Sequence, residues 1–264
     1  MGRVLSVKRS AAIVAVTALM LTGCGDDDPA ADSGDDVTTT AATSAVEIDE
    51  TLAGDVIAHY AAGVYSSYQA SLAAAKQLDT AVDAFVSSPD AATLESAKSA
   101  WIAARTPYGL TEAFRFYGGP IDNEETGPEG QINGWPLDEQ YIDYTVDSPD
   151  SGIINNTADF PEITKEVLAE ANEQGGEANL STGWHAIEFL LWGQDLNGTG
   201  PGAGARPASD YDLKSCSHGN CDRRAAYLRA ATALLDVLLR GREHVELSDR
   251  IEGIEAALAA RGEP

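Results

Sequence analysis

Apolar residues recur at three- and four-residue steps through Ile57, Ala61, Val64, Tyr68, Leu72, Ala75, Leu78, Val82 and Phe85. That spacing lines up one face of an α-helix, and no proline interrupts it between Thr51 and Ser88, so the pattern predicts one long amphipathic helix. Pro89-Asp90 then breaks and caps, and Leu94, Ala97, Trp101, Ala104 and Tyr108 carry a second helix with the same period. Pro107 is expected to kink or end it. A further turn through Glu112 and Phe116 stops at Gly118-Gly119-Pro120, where glycine takes the left-handed cap and proline forbids continuation. The short break between the two long helices favours an antiparallel pair.

From Gly118 to Gly152 the period is lost. Pro120, Pro128, Pro136 and Pro149 stand among glycines and acids, which describes a long irregular connection. The apolar content of Ile132 to Asp143 argues that this half is ordered and packed. A helix is predicted over Pro161 to Glu173, with Ile163, Val167, Leu168 and Ala171 on one face, and a short buried one over Ser181 to Gly193. Asn197 to Ser215 is rich in glycine and proline, after which Leu228, Ala231, Leu235 and Leu238 carry a helix over Arg224 to Leu239. No stretch alternates apolar and polar residues long enough for a sheet. The fold class is all-α, a helical bundle with long irregular crossover loops.

The first fifty residues follow a different logic. Arg3, Lys8 and Arg9 precede an apolar run from Ala11 to Leu21 that is too short to span a bilayer comfortably, and Leu21-Thr22-Gly23-Cys24 closes it. This resembles a bacterial lipoprotein signal over residues 1–23, with Cys24 as the lipidated residue; the alternative is an ordinary cleaved signal with an incidental cysteine. Residues 24–50 are rich in Asp, Thr and Ala, which cannot bury enough surface to fold, so they form an acidic disordered tether. The helical domain occupies 51–264. The expected location is the cell envelope, lipid-anchored in the periplasm, at the outer membrane or at the cell surface.

Charge and cysteines narrow the partners. The formal charge is −25, and losing Arg3, Lys8 and Arg9 with no acid makes it −28. Such a chain will not bind nucleic acid through phosphates. Cys216 and Cys221 remain as an even pair that an oxidising envelope would join in a disulfide. A zinc site using His218 is the alternative, but no fourth ligand lies nearby in sequence.

The chemistry concentrates in Gly183-Trp184-His185-Ala186-Ile187-Glu188-Phe189-Leu190-Leu191-Trp192-Gly193. Three residues apart on a helix, His185 and Glu188 can converge on one metal ion or proton, or simply bond to each other. Trp184, Ile187, Leu190 and Leu191 take the apolar side.

The string G-x-H-x-x-E-F-L-L-W-G-x-D resembles the signature of the imelysin-like family, envelope proteins first named as insulin-cleaving metallopeptidases. Trp101-x-x-x-Arg105-x-x-Tyr108-x-x-Thr111-Glu112-Ala113-Phe114-Arg115-Phe116-Tyr117-Gly118-Gly119-Pro120-Ile121-Asp122 resembles the family's other marked segment, and Trp135-Pro136-Leu137-Asp138 the block after it. The likeness runs from about Ile57 to Gly241. It implies two helical-bundle halves with the His/Glu motif near their junction, export or surface anchoring, and an association with iron acquisition. Family chains usually continue well beyond Leu239, so the resemblance also implies a shortened member, a frameshifted reading or one half of a split protein, with a cavity open on one side.

Under this resemblance the metal ligands are His185, Glu188 and Glu112, with Asp122 or Asp138 as a further ligand and Arg115 beside them. An ion pair of Glu112 with Arg115 or Arg105 is the competing reading. Imidazole with carboxylate suits iron, zinc or manganese, so a divalent or ferric ion is implied without a choice among them. There is no H-E-x-x-H, and the histidines are His59, His185, His218 and His244. The aromatics Trp101, Tyr108, Phe116, Trp135, Trp184 and Trp192 are assigned to the core. Three functions follow. The preferred one is a lipid-anchored metal-binding protein that serves an iron-uptake system; a metallopeptidase and a non-catalytic interaction domain are the others.

Overall fold

The computed structural model describes residues 49–115, 123 and 127–240, all of which lie in the second of the chain's two units, Ile48–Pro264. Cys24 and Asp122 fall outside the described residues. Helix α1 spans Glu50–Ser87, and Asp49 caps it by accepting from the backbone N–H groups of Thr51 and Leu52. Helix α2 spans Ala91–Leu110 and starts with a reciprocal capping box between Asp90 and Thr93. Leu78, Val82 and Phe85 of α1 and Leu94, Ala97 and Ala104 of α2 share one core, as the two periodicities predict.

Proline did not end α2. Pro107 sits inside its last turn, and the helix runs on to Leu110. A 3-10 turn, Thr111–Phe114, follows directly, with the Thr111 hydroxyl donating to the carbonyl of Tyr108 at 2.6 Å. The connection after it is also less irregular than its composition suggests. It contains α3, Glu129–Asn133, and α4, Glu139–Ile142, both too short to reveal a period. Helix α5 is shorter than predicted, Lys165–Ala171, because the Thr164 hydroxyl accepts from the Val167 N–H and sets the start there.

Helix α6, Gly183–Trp192, lies at the centre. Trp184, Ile187, Leu190 and Leu191 are fully buried among residues of α1, α2 and the last described helix, α7, residues 221–240. Its backbone oxygens are satisfied from three sides. Trp101 donates to the carbonyl of Trp184, Tyr211 to that of Leu190, and Tyr227 to that of Ser181 just before the helix. Helix α7 lies against α1 through Arg229 to Asp83 at 3.0 Å and Thr232 to Asp79 at 2.8 Å. Arg223 donates to the carbonyls of Ile153, Ile154 and Phe160 and fixes the loop before α5.

Among the described residues there is one isolated bridge, Thr145 with Ser148, and no strand, so the fold is all-α. None of the described helices is long and apolar enough to cross a membrane.

Sequence periodicity gave no sign of the buried ionic cluster that joins the loops. Asp143, just after α4, receives Arg224 Nε at 2.6 Å and Nη2 at 2.9 Å, and Arg206 Nη1 at 2.6 Å. Arg206 also reaches Asp210 at 3.3 Å. Burial pushes the Asp143 carboxyl up, but the bonds from Arg224 and the charge of Arg206 outweigh it and hold the group below its ordinary range. The folded state therefore binds this proton less readily than the unfolded chain does, and the associated stability is lost as pH falls through the folded-state value. Asp143→Asn should cost about 3–5 kcal/mol at neutral pH, since it leaves buried arginine charge uncompensated. Urea unfolding of wild type and variant should show the gap narrowing in acid.

Candidate functional site

The start of α6 is built to close tolerance. Gly183 has φ +83°, and a Cβ there would lie 2.4 Å from the carbonyl oxygen of Ile132. Only glycine meets both conditions. Thr182 donates to the carbonyl of Gln131 at 2.8 Å and Ser181 to that of Leu168 at 2.7 Å, so the helix begins from a fixed point against α3 and α5. Two residues later His185 leaves the apolar face.

His185 Nδ1 lies 3.1 Å from Glu188 Oε2, and the two side chains are partly exposed on the same side of the helix. The Trp135 ring stands 4.9 Å from the imidazole. Trp135 is 70 % exposed, which corrects its assignment to the core: it is a wall of the cleft rather than packing. The cleft has a volume of about 300 Å³. Glu139 and Asp195 line it together with His185 and Glu188, while Leu137 and Phe189 supply apolar surface. The Glu139 carboxyl is pushed above its ordinary value by burial; Arg206 opposes this, and Asp195 and Asp138 add to it. The cleft is thus an acidic pocket with aromatic walls.

Arg105 approaches from α2. Its guanidinium carbon lies 5.1 Å from the Tyr108 ring centre and 5.8 Å from that of Trp184. Burial lowers its pKa, while Tyr108, Glu188 and Glu112 raise it, so one cation feels both carboxylates.

Glu112 itself is mostly exposed and pairs with Arg115 at 3.4 Å. Arg115 is buried and also bonds Glu129. Asp138 caps α4 by accepting from the Gln140 N–H at 3.0 Å. Of the residues proposed as ligands, the described structure brings together His185 and Glu188. Among the described residues, no three of His, Cys, Asp and Glu are grouped closely enough to hold a metal ion. One imidazole already bonded to one carboxylate is an incomplete coordination set for a resident metal. Asp195, which joins the pair in the cleft, closes the quoted G-x-H-x-x-E-F-L-L-W-G-x-D string, and Glu139 directly follows Trp135-Pro136-Leu137-Asp138, but neither is among the ligands that the resemblance implies.

Cys216 and Cys221 are joined by a disulfide with Cα atoms 5.8 Å apart. His218, inside that loop, bonds Asp210 through Nδ1 at 2.6 Å.

Against known proteins, the family model of Imelysin, a peptidase family, matches residues 64–244. The chain is also 36 % identical over 129 residues to Iron-regulated protein A of Synechococcus elongatus. That match covers 49 % of this chain and 28 % of the relative.

Gly183→Ala should lower stability by about 2 kcal/mol or more, because it adds both an unfavourable φ and a clash with backbone. Thermal unfolding measures the loss, and near-ultraviolet circular dichroism should report displacement around Trp184.

Proposed function

Since this chain belongs to the Imelysin family, we propose that it is a cell-envelope protein with an iron-related role that binds iron as cargo in the cleft beside His185 and Glu188. The observation that carries the reading is the His185–Glu188 pair at 3.1 Å facing a cleft whose other charged lining groups are the acids Glu139 and Asp195. An acidic pocket with low-dielectric walls favours a cation. With one imidazole and one carboxylate in direct range, a bound iron keeps further donors of its own, from water or from a chelator. Such partial coordination suits a protein that hands its cargo to a component of an uptake system. The name of the cyanobacterial relative adds support through its regulation by iron.

The geometry also sets a pH dependence. A proton and a cation compete for Glu139, whose affinity for the proton is raised, so iron binding should weaken as pH falls through that raised value. His185→Ala should weaken binding by about tenfold or more, a loss on the scale of one charge-assisted interaction. Glu139→Gln should weaken it less but flatten the pH profile. Equilibrium dialysis against ferric citrate, with metal quantified in both compartments, measures all three proteins. Unchanged uptake in both variants removes the cleft as the site. Metal-dependent cleavage of an unfolded protein substrate by wild type, lost in His185→Ala, would replace the cargo reading with a peptidase.

We further propose that acyl chains on Cys24 hold the protein to the membrane and that residues 25–47 keep the domain away from the surface, since Asp49 and Glu50 already cap and open α1. Two lipid signals give stable anchoring where one is marginal. In cells, Cys24→Ser should move the protein from the membrane fraction to the soluble envelope fraction; retention in the membrane would reject lipidation at this residue.

A further inference from the structure

Behind the segment 193–206 lies a second cleft, of about 210 Å³, which shares only Trp192 and Gly193 with the first. Tyr144, Thr145, Arg206 and His218 give it polar character, and Val146 and Leu196 form an apolar rim. Both rim residues are well exposed. The chemistry here is the reverse of the first cleft.

The hydrogen bonds of this region leave a surplus of donors. Asp210 is saturated: Oδ1 takes His218 Nδ1 at 2.6 Å, and Oδ2 takes the Tyr144 hydroxyl at 2.6 Å and Arg206 Nη1 at 3.3 Å. Asp143 is saturated by Arg206 and Arg224. The two carboxylates are thus matched by two guanidinium groups, all buried. What remains is a set of donors. Arg206 Nε and the Thr145 hydroxyl are buried without a hydrogen-bond partner, although both residues line this cleft and both are more than nine-tenths buried. An imidazole that gives Nδ1–H to a carboxylate presents Nε2 outward in a fixed orientation, and that nitrogen becomes a donor when the ring carries its second proton. His218 is fixed twice over, by Asp210 and by stacking on Tyr144 at 4.4 Å and 21°. The disulfide on either side of it closes the loop that carries it.

We propose that this second cleft binds a small organic carboxylate with an apolar body. The His218 ring, when it carries both protons, makes the principal contact through Nε2–H, the unpaired donors of Arg206 and Thr145 line the floor, and Val146, Leu196 and Trp192 hold the apolar part. Buried donors left over after Asp143 and Asp210 are bonded call for an acceptor. The apolar rim calls for a body rather than a bare inorganic ion. The carboxylate can belong to a free acid or to the C-terminus of a peptide.

Equilibrium dialysis of the full chain against benzoate, N-acetylphenylalanine and N-acetylphenylalaninamide tests this. Both carboxylates should bind saturably and the amide should not; tighter binding of the peptide-like acid assigns the source to a chain terminus, and tighter binding of benzoate to a free acid. His218→Ala should weaken binding about tenfold, as expected for one charge-assisted hydrogen bond. Because Val146 is exposed, Val146→Asp and Val146→Lys test the charge preference without touching the core: the first should weaken carboxylate binding and the second strengthen it. Equal binding of acid and amide, no saturable binding, or affinity unchanged in His218→Ala would overturn the proposal. None of these outcomes depends on iron, so the two clefts are tested separately.

Discussion

Burying two aspartates with two arginines is costly unless each charge is met by another, and that requirement organises the loops of this protein. Asp143 ends α4, Arg206 follows the glycine-rich segment after α6, Asp210 closes a short 3-10 turn, and Arg224 lies in the first turn of α7. No two of these elements are held together by regular secondary structure. The charges do that work: Arg224 and Asp143 meet across 81 residues of chain and Arg206 and Asp143 across 63. The Arg206 N–H also donates to the Trp192 carbonyl at 2.8 Å, which ties the same cluster to the end of α6. An all-α domain with long crossovers has few other ways to fix where its loops lie.

Helix α6 is the second dependency, and it is held by shape. Its apolar face fills the centre of the core, so its polar face can point only toward the one side not occupied by α1, α2 and α7. The His185–Glu188 pair owes its place to that exclusion as much as to its spacing. Close approach at Gly204, where a Cβ would stand 2.4 Å from the carbonyl oxygens of Trp192 and Gly193, presses the following segment against the helix end and separates the two clefts.

Much of the fold was legible because helical periodicity is a local signal. The apolar steps from Val64 to Phe85 and from Leu94 to Tyr108 each report a face that packs, whereas Ile57 nearer the start of α1 is exposed, and the breaks at Pro89 and Gly193 mark ends. Helices of four or five residues, such as Glu139–Ile142, leave no period to find. Pro107 did not end the helix: it removes one N–H bond to the preceding turn, and α2 still runs on to Leu110. The site was half legible. His185 and Glu188 share a helix, so spacing alone brings them together, whereas Glu139 at the start of α4 and Asp195 in the segment after α6 reach the same cleft from separate parts of the chain. Glu112 and Arg115 illustrate the limit of motif reading: Glu112 pairs with its sequence neighbour Arg115, which reaches on to Glu129 rather than toward His185. Trp135 looked like a core residue because tryptophan usually is one, and nothing in its immediate sequence announced an exposed ring.

That exposed ring gives the molecule an optical property of its own. Of the four tryptophans, Trp184 is fully buried, Trp101 nearly so, and Trp192 partly covered, while Trp135 stands in water against the imidazole of His185. The red edge of the intrinsic fluorescence and the fraction accessible to a neutral quencher therefore originate from the mouth of one cleft. Events at His185 can be followed in the unlabelled protein by the colour of a single indole.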